Sequence, residues 1–307
     1  PETARHDPYA ALRIPNYRRF APGFLVGSTG LQVMNAAVVW EVWARTHDFL
    51  ALGNVGLCRA LPVVLLALPA GHVADVRDRR IIVVITQIGF AAVAAGFALL
   101  SYADAPVWGF YLLLLASACV RAFNGPARQS FLPLIVPDAI FQNVVAYQSG
   151  IFQAAAIAGP LLAGFLIAEM PAIWPIYLIT ALACLVFSAA VASTVPAPAT
   201  RASGGLTVTA MLAGLSHMWR ERPVFAAILL DMLAVLFGGA AALMPVFAER
   251  ILEGGPQFFG LLDAAPQLFG VLRAAPYVGA LLMAVWLAYR PNFKHAGPVL
   301  LWSVVAF

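Results

Sequence analysis

Glu41, Arg59, Arg121 and Asp231 are charged side chains set inside long apolar runs of this sequence, and each needs an explanation. Glu41 is near the outer end of the first run, Arg59 near the middle of the second, Arg121 in the inner half of the fourth, and Asp231 about two turns into the seventh. A charge at the centre of a bilayer costs about 3 kcal/mol or more unless it meets water or a partner. Each therefore implies a wet or paired interior. Asp231 is the only acid well inside a run, and a carboxylate there could carry a proton. Arg59 and Asp231 could pair with each other, serve separately as substrate or proton sites, or only tie helices together. Glu41 reads as an interfacial residue paired with Arg45, one helical turn away. Gln32, Asn35, Gln148 and Gln153 add amides, with Trp40, Trp43, Tyr147 and Phe152 nearby in sequence. Such a set suits a bulky, amphipathic or aromatic solute, while each residue taken singly is equally consistent with packing. There is no catalytic triad, histidine–cysteine metal cluster, phosphate-binding loop or glycine-rich dinucleotide turn in the sequence. The reading is a protein that is not an enzyme, holds no metal or bound cofactor, and draws its energy from a proton gradient.

The elements that must position these residues follow from composition. Of 307 residues, 62% are hydrophobic and 10% charged, whereas soluble chains carry about 25% charged residues. Apolar runs fall at 20–44, 51–70, 81–102, 107–125, 144–168, 173–195, 224–247 and 268–289, with a ninth beginning at Gly297. Each is near the ~20 residues a helix needs to cross a bilayer. Arginines gather before the first run, at 77–80, at Arg128, at Arg201, Arg220 and Arg222, and at Arg290 with Lys294. The intervening loops carry Asp48, Asp104, Glu169 and Glu253. That alternation predicts a cytoplasmic N-terminus. The net charge of +4 is spread over short loops, which fits topology and not nucleic acid. Cys58, Cys119 and Cys184 lie within apolar runs without ligand spacing and read as packing residues. The expected organisation is a tail at 1–19, a six-helix bundle at 20–195, a cytoplasmic linker with an amphipathic surface helix at 196–222, and an incomplete second bundle at 223–307. Phe259–Pro266 recurs ten residues later as Phe269–Pro276, a small duplication that makes Asp263 and Arg273 loop or interface residues.

The turn Gly71-His-Val-Ala-Asp75-Val-Arg77-Asp78-Arg79-Arg80 is the most informative polar segment. Glycine lets two helix ends approach closely, and Asp75 can cap the next helix or accept an arginine, Arg79 being one turn away. The spacing of Gly71, Asp75, Arg79 and Arg80 resembles the turn between the second and third helices of the major facilitator superfamily, written Gly, three residues, Asp, basic, any, Gly, basic, basic. Val76 departs from the first basic position. Asp78 replaces the second glycine, which is similar to the siderophore, macrolide and multidrug exporter branch. Arg121 with Gly125 resembles the superfamily's fourth-helix motif, and the resemblance implies proton coupling through Arg121; the plainer alternative is a guanidinium snorkelling to the interface. Gly159, Pro160 and Gly164, with Ala155 and Ala163 at glycine positions, resemble the antiporter signature of the fifth helix. Gly125–Arg128 and Leu132–Pro137 are similar to the same branch, in what reads as a loop before a short surface helix starting at Asp138.

The resemblance implies an all-α integral membrane protein with two six-helix halves, the second truncated, leaving eight complete helices and part of a ninth. It further implies a monomeric exporter of a siderophore, drug or other amphipathic metabolite, working among the lipids of the bacterial cytoplasmic membrane by alternating access and proton antiport. An uptake or lipid-moving relative, or a scaffold or sensor on the same fold, are the rival readings.

Overall fold

A computed structural model describes residues 10–196, 243–254 and 265–288. Those residues are helical, with no strand among them. The helices are α1 (Pro15–Thr46), α2 (Phe49–Val76), α3 (Arg79–Tyr102), α4 (Val107–Ile135), α5 (Phe141–Glu169), α6 (Trp174–Ala192), α7 (Met244–Gly254) and α8 (Ala265–Ala288), with short 3-10 turns at Ala10–Arg13 and Asp138–Ile140. Helices α1 to α6 are each long and apolar enough to cross a membrane. Most of the seventh run, the 196–222 linker and the ninth run lie outside the described residues.

Local chemistry explains the boundaries. Pro15 opens α1, where its missing N–H costs nothing. The helix stops at His47, whose φ of 48° is left-handed and whose N–H donates to the Trp43 carbonyl at 2.8 Å. Asp48 then caps α2 by accepting from the Leu50 amide at 2.9 Å. At the next turn the cap is Asp78 and not Asp75. The Asp78 carboxylate accepts from the amides of Arg80 at 2.9 Å and Ile81 at 3.5 Å, an arrangement that contributes about 1 kcal/mol. Asp75 lies in the last turn of α2, exposed, and no ion pair joins it to Arg79 among the described residues. Gly71 also differs from expectation, since an added Cβ there would meet nothing within 4 Å. It is not a close-approach glycine in this arrangement.

Helix α4 runs well past its apolar run. The stretch from Gly125 to Ile135 is not a loop but the last part of α4, carrying Pro126 and Pro133 inside the helix. Each proline removes one backbone bond, which neighbouring helices can tolerate in a membrane bundle. Where a short surface helix was expected at Asp138, a three-residue 3-10 turn, Asp138–Ile140, follows it.

Packing places α1 against α5 and α6, α3 against α4 and α6, α2 against α4, and α8 against α5 and α7. Alternating helix direction puts the Gly71–Arg80 turn at one end, here the turn end, and Thr46, Tyr102 and Glu169 at the far end. Apolar side chains form a core at each end. Tyr17, Phe20, Phe24, Phe131 and Phe187 build the core at the turn end; Trp43, Phe97, Phe110, Tyr177 and Phe269 build the far one. Between them, at mid-depth, the residues change character.

Candidate functional site

The mid-depth layer is a cavity of about 520 Å³. Helix α1 supplies Phe24, Ser28, Gln32 and Asn35, α2 supplies Arg59, α3 supplies Gln87 and Phe90, α4 supplies Arg121, Asn124 and Arg128, α5 supplies Phe152, and α8 supplies Arg273 and Tyr277. Sequence periodicity accounts for this convergence on α4, where Arg121, Asn124 and Arg128 fall on one face at spacings of three and four residues. Four guanidinium groups thus line one space, with no carboxylate among its described lining residues. The Arg59 guanidinium donates to the Asn35 carbonyl at 3.1 Å. Arg128 sits over the Phe24 ring, 4.6 Å from its centre, and Arg273 over Phe269 at 5.8 Å. Two like charges ~8 Å apart repel by about 2 kcal/mol at an effective dielectric of ~20. Cation–π contacts worth about 1 kcal/mol each offset part of that repulsion and leave the cavity electropositive.

Its polar wall is half satisfied. Asn124 donates to the Thr86 hydroxyl at 2.8 Å, and that hydroxyl donates to the Ile82 carbonyl at 2.8 Å. Gln87 is 1% exposed, yet its amide oxygen has no hydrogen-bond partner. A second cavity of about 450 Å³ adjoins on the turn side and shares Arg128 and Phe152; Gln148 and Gln153 line it.

The expected site residues divide as follows. Arg59, Arg121, Gln32, Asn35 and Phe152 come together in the main cavity, and Gln148 lines its neighbour. Trp40 does not join them; its ring packs 5.5 Å from Phe269 in the far apolar core. Asp231 lies outside the described residues. Glu41 pairs with Arg45 as expected, at 2.7 Å, and is 2% exposed within the bundle. Tyr177 explains its depth by donating its hydroxyl to Glu41 at 2.7 Å. Arg273, expected at a loop or an interface, is not in a loop; it stands in the body of α8 and lines the cavity with the arginines of α2 and α4. Arg128, Gln87, Asn124 and Tyr277 were also missed. The signal for Arg273 was present, as it falls inside the 268–289 run; the duplication led it to be read as a loop position.

Glycines of the fifth helix hold α5 between two neighbours. A Cβ on Gly159 would strike the Gln32 side chain and come within 3.2 Å of the Thr29 carbonyl oxygen in α1. At Gly164 it would strike the Pro266 carbonyl and lie 3.1 Å from the Gly270 Cα in α8. Pro160 sits between them, its carbonyl facing Gly270. Lower on the same interface, the Gln153 amide donates to the Tyr277 carbonyl at 2.8 Å. At the far end, the Trp43 indole donates to Glu249 of α7 at 2.7 Å, and His47 approaches the same carboxylate at 3.6 Å. In the turn motif, Arg79 donates to the Ala74 carbonyl at 3.3 Å, while the Arg80 guanidinium donates to the Ala192 carbonyl at the end of α6. Arg80 thus ties the turn to the sixth helix.

This arrangement of a polar, arginine-lined chamber between two apolar cores agrees with what the chain is similar to. The model of the transmembrane secretion effector family, within the major facilitator superfamily, matches residues 6–293. The staphyloferrin A transporter of Staphylococcus aureus is 26% identical over 247 residues, covering 78% of this chain and 59% of that protein. The MFS-type transporter YfiS of Bacillus subtilis is 34% identical over 109 residues, 36% of this chain and 25% of its own length. Macrolide efflux protein A of Streptococcus pyogenes is 23% identical over 135 residues, 44% of this chain and 33% of its own. The match thus spans less than two thirds of each relative's length. With its cavity walled by intramembrane arginines and its matched span covering nearly all of the sequence, the chain belongs to the transmembrane secretion effector family of major facilitator transporters, a multi-pass membrane protein and not an enzyme.

Proposed function

We propose that the protein exports a small molecule across the bacterial cytoplasmic membrane by alternating access, in exchange for protons. The observation that carries this is the mid-depth cavity bounded by an apolar core at either end. A solute held there can be released to one side only if one core parts while the other stays closed. The family description and the macrolide efflux relative favour outward movement. The N-terminus, the Gly71–Arg80 turn and the 196–222 linker face the cytoplasm in this reading, and the protein works as a monomer among lipids, without nucleic acid or bound cofactor. Asp75, exposed at the end of α2, together with Arg79 and Arg80, serves the cytoplasmic gate. Asp231 carries the coupling proton and Arg121 tunes it. One proton moving down 100 mV supplies about 2.3 kcal/mol, enough for roughly fiftyfold accumulation.

Deleting the gene should raise one solute inside the cells and deplete it from the medium, as read by comparing intracellular and extracellular metabolites. Wild-type full-length protein should restore the distribution. Asp231→Asn should allow the solute to equilibrate but not to be pumped uphill. If no solute redistributes on deletion, export is wrong; if Asp231→Asn pumps normally, the proton is carried elsewhere.

A further inference from the structure

We infer that the solute held in the main cavity is an oligo-anion, a small molecule bearing two or more oxyanion groups such as carboxylates or phosphates. This rests on the reading of that cavity as the transport site, and it names the charge class of what enters. Among the described residues the lining holds four arginines, Arg59, Arg121, Arg128 and Arg273, and no aspartate or glutamate. Among the described residues none of the four forms an ion pair with a carboxylate. The acids that are paired lie elsewhere, with Glu41 and Asp104 engaged by Arg45 at the far end. A cationic drug would add a fifth positive charge to this space and be repelled. A neutral one would bring no counter-charge to these guanidinium groups. An anion with two or three charges satisfies them, because each guanidinium presents a planar fork that matches an oxyanion with two parallel hydrogen bonds.

Gln87 adds a polar side chain to the same lining; its amide oxygen is buried and has no hydrogen-bond partner among the described residues. The arginines also come from opposite sides. Arg59 and Arg121 stand on α2 and α4, whereas Arg273 stands on α8, which packs on α5. An anion with two separated charged groups can bridge these walls, which a single charged group cannot do. Phe24, Phe90 and Phe152 supply the apolar surface for its carbon skeleton.

The test is equilibrium binding to purified full-length protein in detergent at low ionic strength, where no gradient is present. The probes are propane-1,2,3-tricarboxylate, inorganic pyrophosphate and tetraphenylphosphonium, followed by titration calorimetry and thermal shift. At least one of the two anions should bind and raise the melting temperature, the stronger of them indicating whether carboxylate or phosphate is recognised; salt should weaken binding, and tetraphenylphosphonium should fail to compete. Arg121→Gln and Arg273→Gln should each lower anion affinity about tenfold or more, and Lys at either position should recover part of it. Should tetraphenylphosphonium bind and neither anion do so, or should anion affinity be unchanged in both Gln variants, the proposal is overturned. The wild-type comparison stands even if a variant does not fold. Anion binding without solute redistribution in cells would refute export and keep the charge class; redistribution without anion binding would do the reverse.

Discussion

Gly164→Leu is expected to force α5 away from α8 and to abolish transport by the full-length protein. Any side chain at this position meets backbone: the Pro266 carbonyl, the Gly270 Cα at 3.1 Å and the Gln267 Cα at 3.2 Å. A flexible side chain could swing aside, but a helix backbone can only move as a whole. Overpacking typically costs about 1–3 kcal/mol, and close helix contact is what holds membrane helices together in the absence of a hydrophobic drive. The loss should therefore be graded, with Gly164→Ala destabilising and Gly164→Leu more so, as read by thermal unfolding in detergent. Gly150→Ala and Gly279→Ala are the controls, because an added Cβ at either meets nothing within 4 Å. A wild-type melting temperature for Gly164→Leu would mean that α5 and α8 do not pack as described.

The second large effect is expected at Glu41. Its carboxylate accepts from Arg45 Nη2 at 2.7 Å and Nε at 3.0 Å, and from the Tyr177 hydroxyl at 2.7 Å, while being 2% exposed. Arg45 has other acceptors, in Asp104 at 2.8 Å and the Ala105 carbonyl at 3.1 Å. Tyr177 is fully buried and has none of comparable quality. Glu41→Ala should thus cost about 3–5 kcal/mol, the range for removing one partner of a buried pair. Tyr177→Phe should cost only about 1 kcal/mol, since it removes donor and need together. In the double variant the loss should be smaller than the sum, because the orphaned hydroxyl is gone. Strict additivity of the two changes would sink the claim that Tyr177 is what Glu41 holds.

Both effects sit at positions whose importance was only partly visible beforehand. Gly164 was marked by its motif, but not its partner, because Gly270 lies more than a hundred residues away in a segment that read as a duplication. Glu41 and Arg45 were paired correctly from their four-residue spacing, yet the third member, Tyr177, is in another helix. The same division appears at the turn. Its place between two helices was clear from charges flanked by apolar runs, whereas the capping residue turned out to be Asp78, because α2 persists to Val76 and α3 begins at Arg79. Glycine at 71 suggested close approach, but whether a backbone comes near is settled by a neighbour and not by the glycine.

By itself the sequence determined that this chain is helical, spans a membrane and carries costly charges within it. These follow from quantities summed along a chain: the length of each apolar run against bilayer thickness, and the energy of a charge without water. It also marked Arg59 and Arg121 as charges requiring an explanation. Only the tertiary structure decided that those two share a cavity with Arg128 and Arg273, that Trp40 leaves it for the far core, and that Gln87 joins its lining. The reason is geometric. Periodicity says which residues share a face of one helix, but the rotation of each helix against its neighbours is set by side-chain packing over the whole bundle, and no local stretch of sequence contains it.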